Sequence, residues 1–179
     1  MSVTIRDAAM ADVPFLVALV RHPEVAPYLA VIRPSSPTEV ADEIERAAAD
    51  PAAGGVIVIE DDGRPVGSLS WERVNARSRS ASIGGVAVLP EARGRGVATR
   101  ALRLVIDLLL RERGLHRLQL EVYAFNRHAI ERFARAGFTQ EGVRRRAYLR
   151  DGEWVDGILF GLVAEDLSGH TETGKGLGT

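Results

Sequence analysis

A strand that runs into a glycine-rich turn and then into a helix constrains this chain more than any other feature. An apolar run ends at Val88-Leu89-Pro90, Gly94 and Gly96 alternate with arginines, and apolar residues recur at helical spacing from Val97 onward. Glycines let backbone N–H groups approach a ligand closely, and a helix N-terminus carries about half a positive charge. The pattern therefore predicts a binding site for a polyanion at this turn.

Periodicity in the rest of the chain predicts a mixed α/β domain with the element order β α α β β β α β α β β. The predicted helices cover about 12–21, a segment starting at Ser36, 96–114 and 126–136, and the strands begin near Val3, Val56, Pro65, Ser80 and Leu118, with two more joined through Arg150-Asp151-Gly152. Ser168–Thr179 contains four glycines and almost no apolar residue. We therefore expect one domain over residues 1–167 and a disordered tail.

Composition excludes several classes of function. The 179 residues carry a net charge of -1, so no basic excess is available for binding nucleic acid. The absence of cysteine excludes thiolate zinc sites and cysteine nucleophiles, and the four histidines show no metal-ligand spacing. No apolar run reaches the roughly 18 residues of a membrane span, and no secretion signal is evident at the start. These features favour a cytoplasmic protein without a metal.

A dinucleotide-binding turn is the competing interpretation of the glycines. Gly94-x-Gly96 resembles the start of that fingerprint, but Thr99 occupies the sixth position, where glycine or alanine is required. The turn also follows several strands instead of the first one, which disfavours this interpretation.

The turn does match the signature Gln/Arg-x-x-Gly-x-Gly/Ala, through Arg93, Gly96 and Ala98. On these residues the sequence resembles the GCN5-related N-acetyltransferase (GNAT) superfamily. A second motif, Asn126-x-x-Ala129-x-x-x-Phe133-x-x-x-Gly137-Phe138, is similar to that family's second cofactor motif. Gly142 and the run 151–156 resemble the RimJ/RimL-like branch, which acetylates protein N-termini, and its small-molecule relatives. The resemblance spans roughly Val3 to Leu167 and implies a central sheet of about seven strands flanked by about four helices.

The resemblance also implies acetyl-CoA as co-substrate. In the family, the strand backbone pairs with the pantetheine arm, the turn binds the pyrophosphate, and an asparagine contacts the cofactor where two strands separate. The backbone N–H of Val88 would donate to the oxyanion that forms during transfer. The cofactor-binding residues implied in this way are Val86, Ala87, Val88, Arg93, Gly94, Arg95, Gly96, Val97, Ala98, Thr99 and Asn126.

The resemblance identifies the general base and the general acid less completely than the cofactor-binding residues. Glu121 coincides with the glutamate proposed as base in ribosomal-protein N-acetyltransferases, and Glu72 is a second candidate. Many family members use a tyrosine to protonate the departing thiolate, whereas Phe133 stands at the matching position. Tyr148 or Tyr123 could supply the proton instead, or the thiolate could leave unassisted or with water.

The sequence thus predicts an enzyme that transfers an acetyl group from acetyl-CoA to a primary amine by direct attack in a ternary complex. The acceptor is either a protein N-terminus or a small amine. Because Phe133 replaces the usual acid, a catalytically degenerate module that binds or senses acyl-CoA is the alternative. Family members often dimerise through their last strands, so a homodimer is a further expectation.

Overall fold

Residues 2–29 and 34–170 are described by the computed structural model, and they form one mixed sheet with helices on both faces. The strands lie in the order β1-β2-β3-β4-β5-β7-β6, and only the β4–β5 pair is parallel. The strands are β1 Val3–Asp7, β2 Gly54–Asp61, β3 Arg64–Asn75, β4 Ser80–Val88, β5 Arg117–Tyr123, β6 Thr139–Arg150 and β7 Glu153–Val163. The helices are α1 Val13–Arg21, α2 Pro37–Ala49, α3 Val97–Asp107 and α4 Arg127–Arg135. The predicted fold class and element order are confirmed.

Alternate side chains of β2 pack against helices on opposite faces of the sheet. Val56 and Val58 pack against α1 and α2, whereas Ile57 and Ile59 pack against residues of α3 on the opposite face. This alternation is the period-two pattern of a strand buried on both sides. The predicted start of α2 is also confirmed, because Ser36 and Glu39 form a capping box.

The end of α3 differs from the continuous helix that periodicity predicts up to Gly114. The α-helix ends at Asp107, and Leu108–Glu112 form a turn of the wider π-helix. A π turn accommodates one additional residue. Leu109 and Leu110 are consequently both buried, although they are adjacent in sequence.

Beyond β7, a 3₁₀ segment covers Ala164–His170, so the backbone of the first three residues of the predicted tail belongs to that segment. Residues 171–179 lie outside the described residues, and the predicted disorder there stays a prediction. Across 2–29 and 34–170, no helix is both long enough and apolar enough to cross a membrane.

The separation of β4 from β5 creates the space for a site. The two strands pair only from Ser80 to Ser82, and a bulge follows in which Gly85 has a φ of +59°. In the described residues no strand pairs with this edge of β4 beyond Ser82. Leu89 donates its N–H to the carbonyl of Val66 on β3, so the preceding amide, that of Val88, faces the open edge.

Candidate active site

A cavity of about 570 Å³ lies between the open edge of β4 and the N-termini of α3 and α4. All of the predicted cofactor-binding residues except Arg95 line this cavity. Residues far apart in sequence therefore line one cavity, and their role in binding the cofactor stays a prediction. The lining residues are Glu24, Val25, Tyr28, Leu29, Val86, Ala87, Val88, Ala92, Arg93, Gly94, Gly96, Val97, Ala98, Thr99, Asn126, His128, Ala129 and Arg132.

The glycine turn owes its shape to two left-handed residues. Gly94 and Gly96 each have a φ of +77°, a conformation that other residues adopt only with strain. A Cβ atom at either position would meet nothing within 4 Å, so the space beside both glycines is open. Gly96 immediately precedes α3, and Val97 and Ala98 anchor the helix in the core. The turn presents a helix N-terminus to the cavity, which suits an anion.

The two arginines of the turn point to different places. Arg93 donates from Nε to the carbonyl of Val88 at 3.2 Å and from Nη2 to the carbonyl of Glu24 at 2.9 Å, so it lies at the cavity. Arg95 forms an ion pair of 3.0 Å with Asp61, whose side chain is 4% exposed. The sequence assigned both arginines to the phosphate site, and for Arg95 that assignment stays a prediction, because its guanidinium pairs with Asp61 and does not line the cavity. Its guanidinium lies against β2 and braces the turn from behind.

Arg132 was not singled out from the sequence, yet it lines the cavity from α4. Burial and the neighbouring Arg93 lower the pKa of its guanidinium. Asn126, Ala129 and Arg132 follow one another at three-residue spacing, which places them on one helical face. That spacing was the signal that could have found Arg132. Asn126 also caps α4, because its Oδ1 accepts from the N–H of Ala129.

A second, smaller cavity of about 50 Å³ lies where β4 and β5 diverge, and Glu121 and Phe133 line it. The side chain of Glu121 is 15% exposed, and its Oε2 lies 3.3 Å from Nη1 of Arg144. Within the described residues, its Oε1 is buried without a hydrogen-bond partner. An unpaired buried carboxylate oxygen is costly, and a ligand that donates a proton or a hydrogen bond removes the cost.

Gly157 makes room for this carboxylate. Gly157 on β7 pairs with both Tyr123 and Arg144, and a Cβ there would overlap Oε1 of Glu121. The ring of Tyr148 lies beside the same position and packs edge-on against Tyr123, with 5.2 Å between ring centroids. Burial, together with the Glu121 carboxylate, raises the pKa of Tyr148. Glu121 on β5 is thus brought together with Arg144 and Tyr148, which lie four residues apart on β6.

The structure does not bring Glu72 into this group. Glu72 is exposed near the end of β3, pairs with Ser82, and lines neither cavity. Its candidacy as base is therefore not supported, because strand position alone does not direct a side chain into the site. Phe133 is buried and packs edge-on against Phe138. The part of the chain that the structure describes contains no cluster of acidic and histidine side chains able to hold a metal.

Comparison with known proteins agrees with this site. The sequence profile of the acetyltransferase (GNAT) family matches residues 20–138. The chain belongs to this family, as the sequence motifs predicted, and members of the family transfer acetyl groups from acetyl-CoA to amines.

Individual relatives match over part of their length. The chain is 29% identical over 111 residues to the SPbeta prophage-derived N-acetyltransferase YokL of Bacillus subtilis, a segment that covers 62% of each chain. It is 27% identical over 106 residues to the ribosomal protein uS5 alanine N-acetyltransferase of Escherichia coli, covering 59% of this chain and 55% of that one. Spermidine N-acetyltransferase of Vibrio cholerae, solved with CoA and spermine, superposes with a TM-score of 0.83 at 22% identity over 92% of this chain and 96% of that one. At that identity the superposition shows the fold.

Proposed function

We propose that the chain is an N-acetyltransferase that moves the acetyl group of acetyl-CoA to a primary amine by direct attack in a ternary complex. One observation carries this proposal. The open edge of β4 leads from the glycine turn to Glu121, whose buried Oε1 lacks a partner in the described residues. A helix N-terminus suited to an anion, an unpaired strand edge and a buried carboxylate thus line two neighbouring cavities that share Val86, Asn126 and Arg132.

The cavity fits acetyl-CoA part by part. The turn from Arg93 to Thr99 supplies backbone donors and a helix N-terminus for the pyrophosphate, and Arg132 adds charge from the facing helix. Along the described chain, no strand pairs with the open edge at Val86 and at the N–H of Val88, and this edge suits the amide groups of the pantetheine arm, which would add to the sheet as another strand does. Asn126 lines both the larger and the smaller cavity and therefore lies where the two adjoin. Arg95 supports the turn without facing the cavity.

The reacting groups follow from the inner end of this site. Glu121 takes a proton from the acceptor ammonium, and the neutral amine then forms the new N–C bond at the thioester carbonyl. The N–H of Val88 donates to the oxyanion that develops as this bond forms. The C–S bond breaks, and the thiolate takes a proton. Tyr148 is our candidate for that donor, because its ring lies with the Glu121 carboxylate beside Gly157 and its raised pKa keeps the phenol protonated at physiological pH.

The acceptor is a primary amine on a protein N-terminus or on a small molecule. Similarity to an enzyme that acetylates a ribosomal protein supports assignment to the RimJ/RimL-like branch, and the fold is shared with a polyamine acetyltransferase. A homodimer and a cytoplasmic location, both expected from the sequence, remain part of the proposal.

Matched carboxamide variants test the base. Glu121→Gln should lower kcat by about 10²-fold, the usual contribution of a positioned base, with an unchanged Kd for acetyl-CoA. Glu72→Gln is the control and should change kcat by less than about twofold, because its side chain lines neither cavity. Full activity of Glu121→Gln would contradict the mechanism. Tight acetyl-CoA binding without transfer to any amine would instead support the degenerate binding module.

A further inference from the structure

We propose that Glu24 competes with the pyrophosphate of CoA for Arg93, so that this carboxylate weakens the binding of CoA and favours its release after transfer. The proposal rests on the proposed function, because it takes the larger cavity as the CoA site. It assigns control of the cofactor affinity to a residue outside both sequence motifs. The charge of the cavity, the contacts of Arg93 and the anchoring of the segment that carries Glu24 support it.

A carboxylate stands among the cationic groups of the larger cavity. Of the described residues that line this cavity, Arg93 and Arg132 are the arginines and Glu24 is the only carboxylate. Burial and the neighbouring Arg93 lower the pKa of the Arg132 guanidinium, so the two positive charges lie within electrostatic reach of each other. Glu24 offsets part of this positive charge, and the phosphates of CoA require the same charge.

Arg93 divides its donors between β4 and Glu24. Its Nε donates to the carbonyl of Val88 at 3.2 Å, and its Nη2 donates to the carbonyl of Glu24 at 2.9 Å. Its Nη1 lies 3.3 Å from Oε2 of the Glu24 carboxylate. The two bonds to carbonyl groups hold the guanidinium at the cavity, so Nη1 is the donor that can exchange one anion for another.

The carboxylate of Glu24 can leave Arg93 without a movement of the backbone. The side chain of Glu24 is 64% exposed and that of Arg93 is 40% exposed, and an exposed ion pair contributes little to stability. The next residue, Val25, is buried against Leu19 and Ala87, so the chain beside Glu24 is anchored. A rotation of one side chain therefore frees Nη1. A pyrophosphate carries more negative charge than one carboxylate and displaces it, but at a cost in affinity.

Glu24→Gln keeps the shape of the side chain and removes its charge. The Kd for CoA should fall by about threefold to fivefold, the upper range for loss of an exposed ion pair that competes with the ligand. Glu91→Gln is the matched control, because Glu91 is exposed two residues before Arg93 but lines neither cavity. Its Kd for CoA should change by less than about 1.5-fold, because a solvated charge is screened. Calorimetric titration measures both values.

Three ligands identify the phosphate group that competes. CoA contains the pyrophosphate and the 3′-phosphate, dephospho-CoA retains only the pyrophosphate, and pantetheine contains neither. The gain in affinity caused by Glu24→Gln should be equal for CoA and dephospho-CoA and absent for pantetheine. A gain confined to CoA would assign the competition to the 3′-phosphate and contradict the proposal. A gain that persists for pantetheine would show that Glu24 does not act on a phosphate.

The same substitution in an Arg93→Gln background tests whether Glu24 acts through Arg93. Without the guanidinium there is nothing to compete for, so Glu24→Gln should then change the Kd for CoA by less than about 1.5-fold. An equal gain in both backgrounds would mean that the carboxylate only repels the ligand, and it would overturn the proposal.

Two further results would also overturn it. An unchanged Kd for CoA in Glu24→Gln would mean that the ion pair does not compete with the ligand, and a higher Kd would mean that Glu24 positions Arg93 for CoA. Both results leave the proposed function intact, since the wild type still binds CoA. Absence of saturable CoA binding by the wild type would overturn the proposed function as well.

Discussion

The two ends of the site are built in different ways. At the outer end, the proposed anion site from Arg93 to Thr99 consists of backbone groups whose direction is set by two glycines with positive φ. At the inner end, the proposed reacting groups are the side chains of Glu121, Arg144 and Tyr148, which β5 and β6 bring together over the backbone of Gly157.

This difference separates recognition of the shared cofactor from recognition of the individual acceptor. A backbone anion site recognises a phosphate group whatever the neighbouring side chains are, so it serves a cofactor that all family members share. A side-chain cluster changes with single substitutions, so it selects the acceptor. Variants at the outer end should therefore affect acetyl-CoA binding, and variants at the inner end should affect transfer and acceptor choice.

The largest effect is expected at the outer end. Gly96→Trp places a ring in the open space of the turn and strains a φ of +77°, so the Kd for acetyl-CoA should rise by more than about 10²-fold. Gly114→Trp is the control, because Gly114 has a φ of +65°, similarly open surroundings and a position beyond the opposite end of α3. Calorimetric titration of both variants separates backbone strain from blockage. Equal losses would mean that strain alone explains the result.

At the inner end, Gly157→Ala should lower kcat/KM for the amine by about 30-fold, since the new Cβ displaces the Glu121 carboxylate. The Kd for acetyl-CoA should change by less than about twofold. The control Gly142→Ala lies on the paired strand, where a Cβ makes only an ordinary 3.8 Å contact with Leu159. A large change in the Kd for acetyl-CoA in Gly157→Ala would contradict the claim that the inner end affects only transfer and acceptor choice.

Tyr148→Phe should lower kcat by about fivefold if the phenol protonates the thiolate. The pKa of Tyr148 is raised above its usual value, so its hydroxyl stays protonated through neutral pH. The phenol loses its proton only as the pH rises through that higher pKa. The wild-type kcat should accordingly fall at the alkaline end of its pH profile, whereas the phenylalanine variant should lack that fall. Superimposable profiles would assign the proton to water.

The smallest effect concerns the support behind the turn. Asp61→Asn removes the buried partner of Arg95, so the turn loses its brace and the Kd for acetyl-CoA should rise by about threefold, with an unchanged KM for the amine. Asp107→Asn, in an exposed pair with Arg111, is the control and should have no measurable effect. An altered amine KM in Asp61→Asn would show that the two ends are coupled.

The sequence predicted the outer end far better than the inner end, for a physical reason. A strand, a glycine turn and a helix are contiguous, so their spacing records the local geometry directly. The roles of Arg144 and Gly157 depend on the register of β5, β6 and β7, which pairs Gly157 with Tyr123 on one side and with Arg144 on the other. Periodicity does not report that register, and it therefore left Glu72 as a second candidate base beside Glu121.

Contacts between residues distant in sequence also explain two smaller differences between the sequence prediction and the structure. Arg95 looked equivalent to Arg93 because both flank the glycines, and only the position of Asp61 on β2 separates them. The π turn at Leu108–Glu112 coincides with the burial of two adjacent leucines, Leu109 and Leu110, an arrangement that helical spacing alone does not predict.

The central claim is that acetyl-CoA binds along the open edge of β4, and amide hydrogen exchange measured residue by residue tests it most directly. The N–H of Val88 faces that edge, whereas the N–H of Leu89 already donates to Val66. Saturating acetyl-CoA should slow exchange at Val86 and Val88 by at least about tenfold and leave Leu89 nearly unchanged. Saturable acetyl-CoA binding without added protection at Val86 and Val88 would contradict the account.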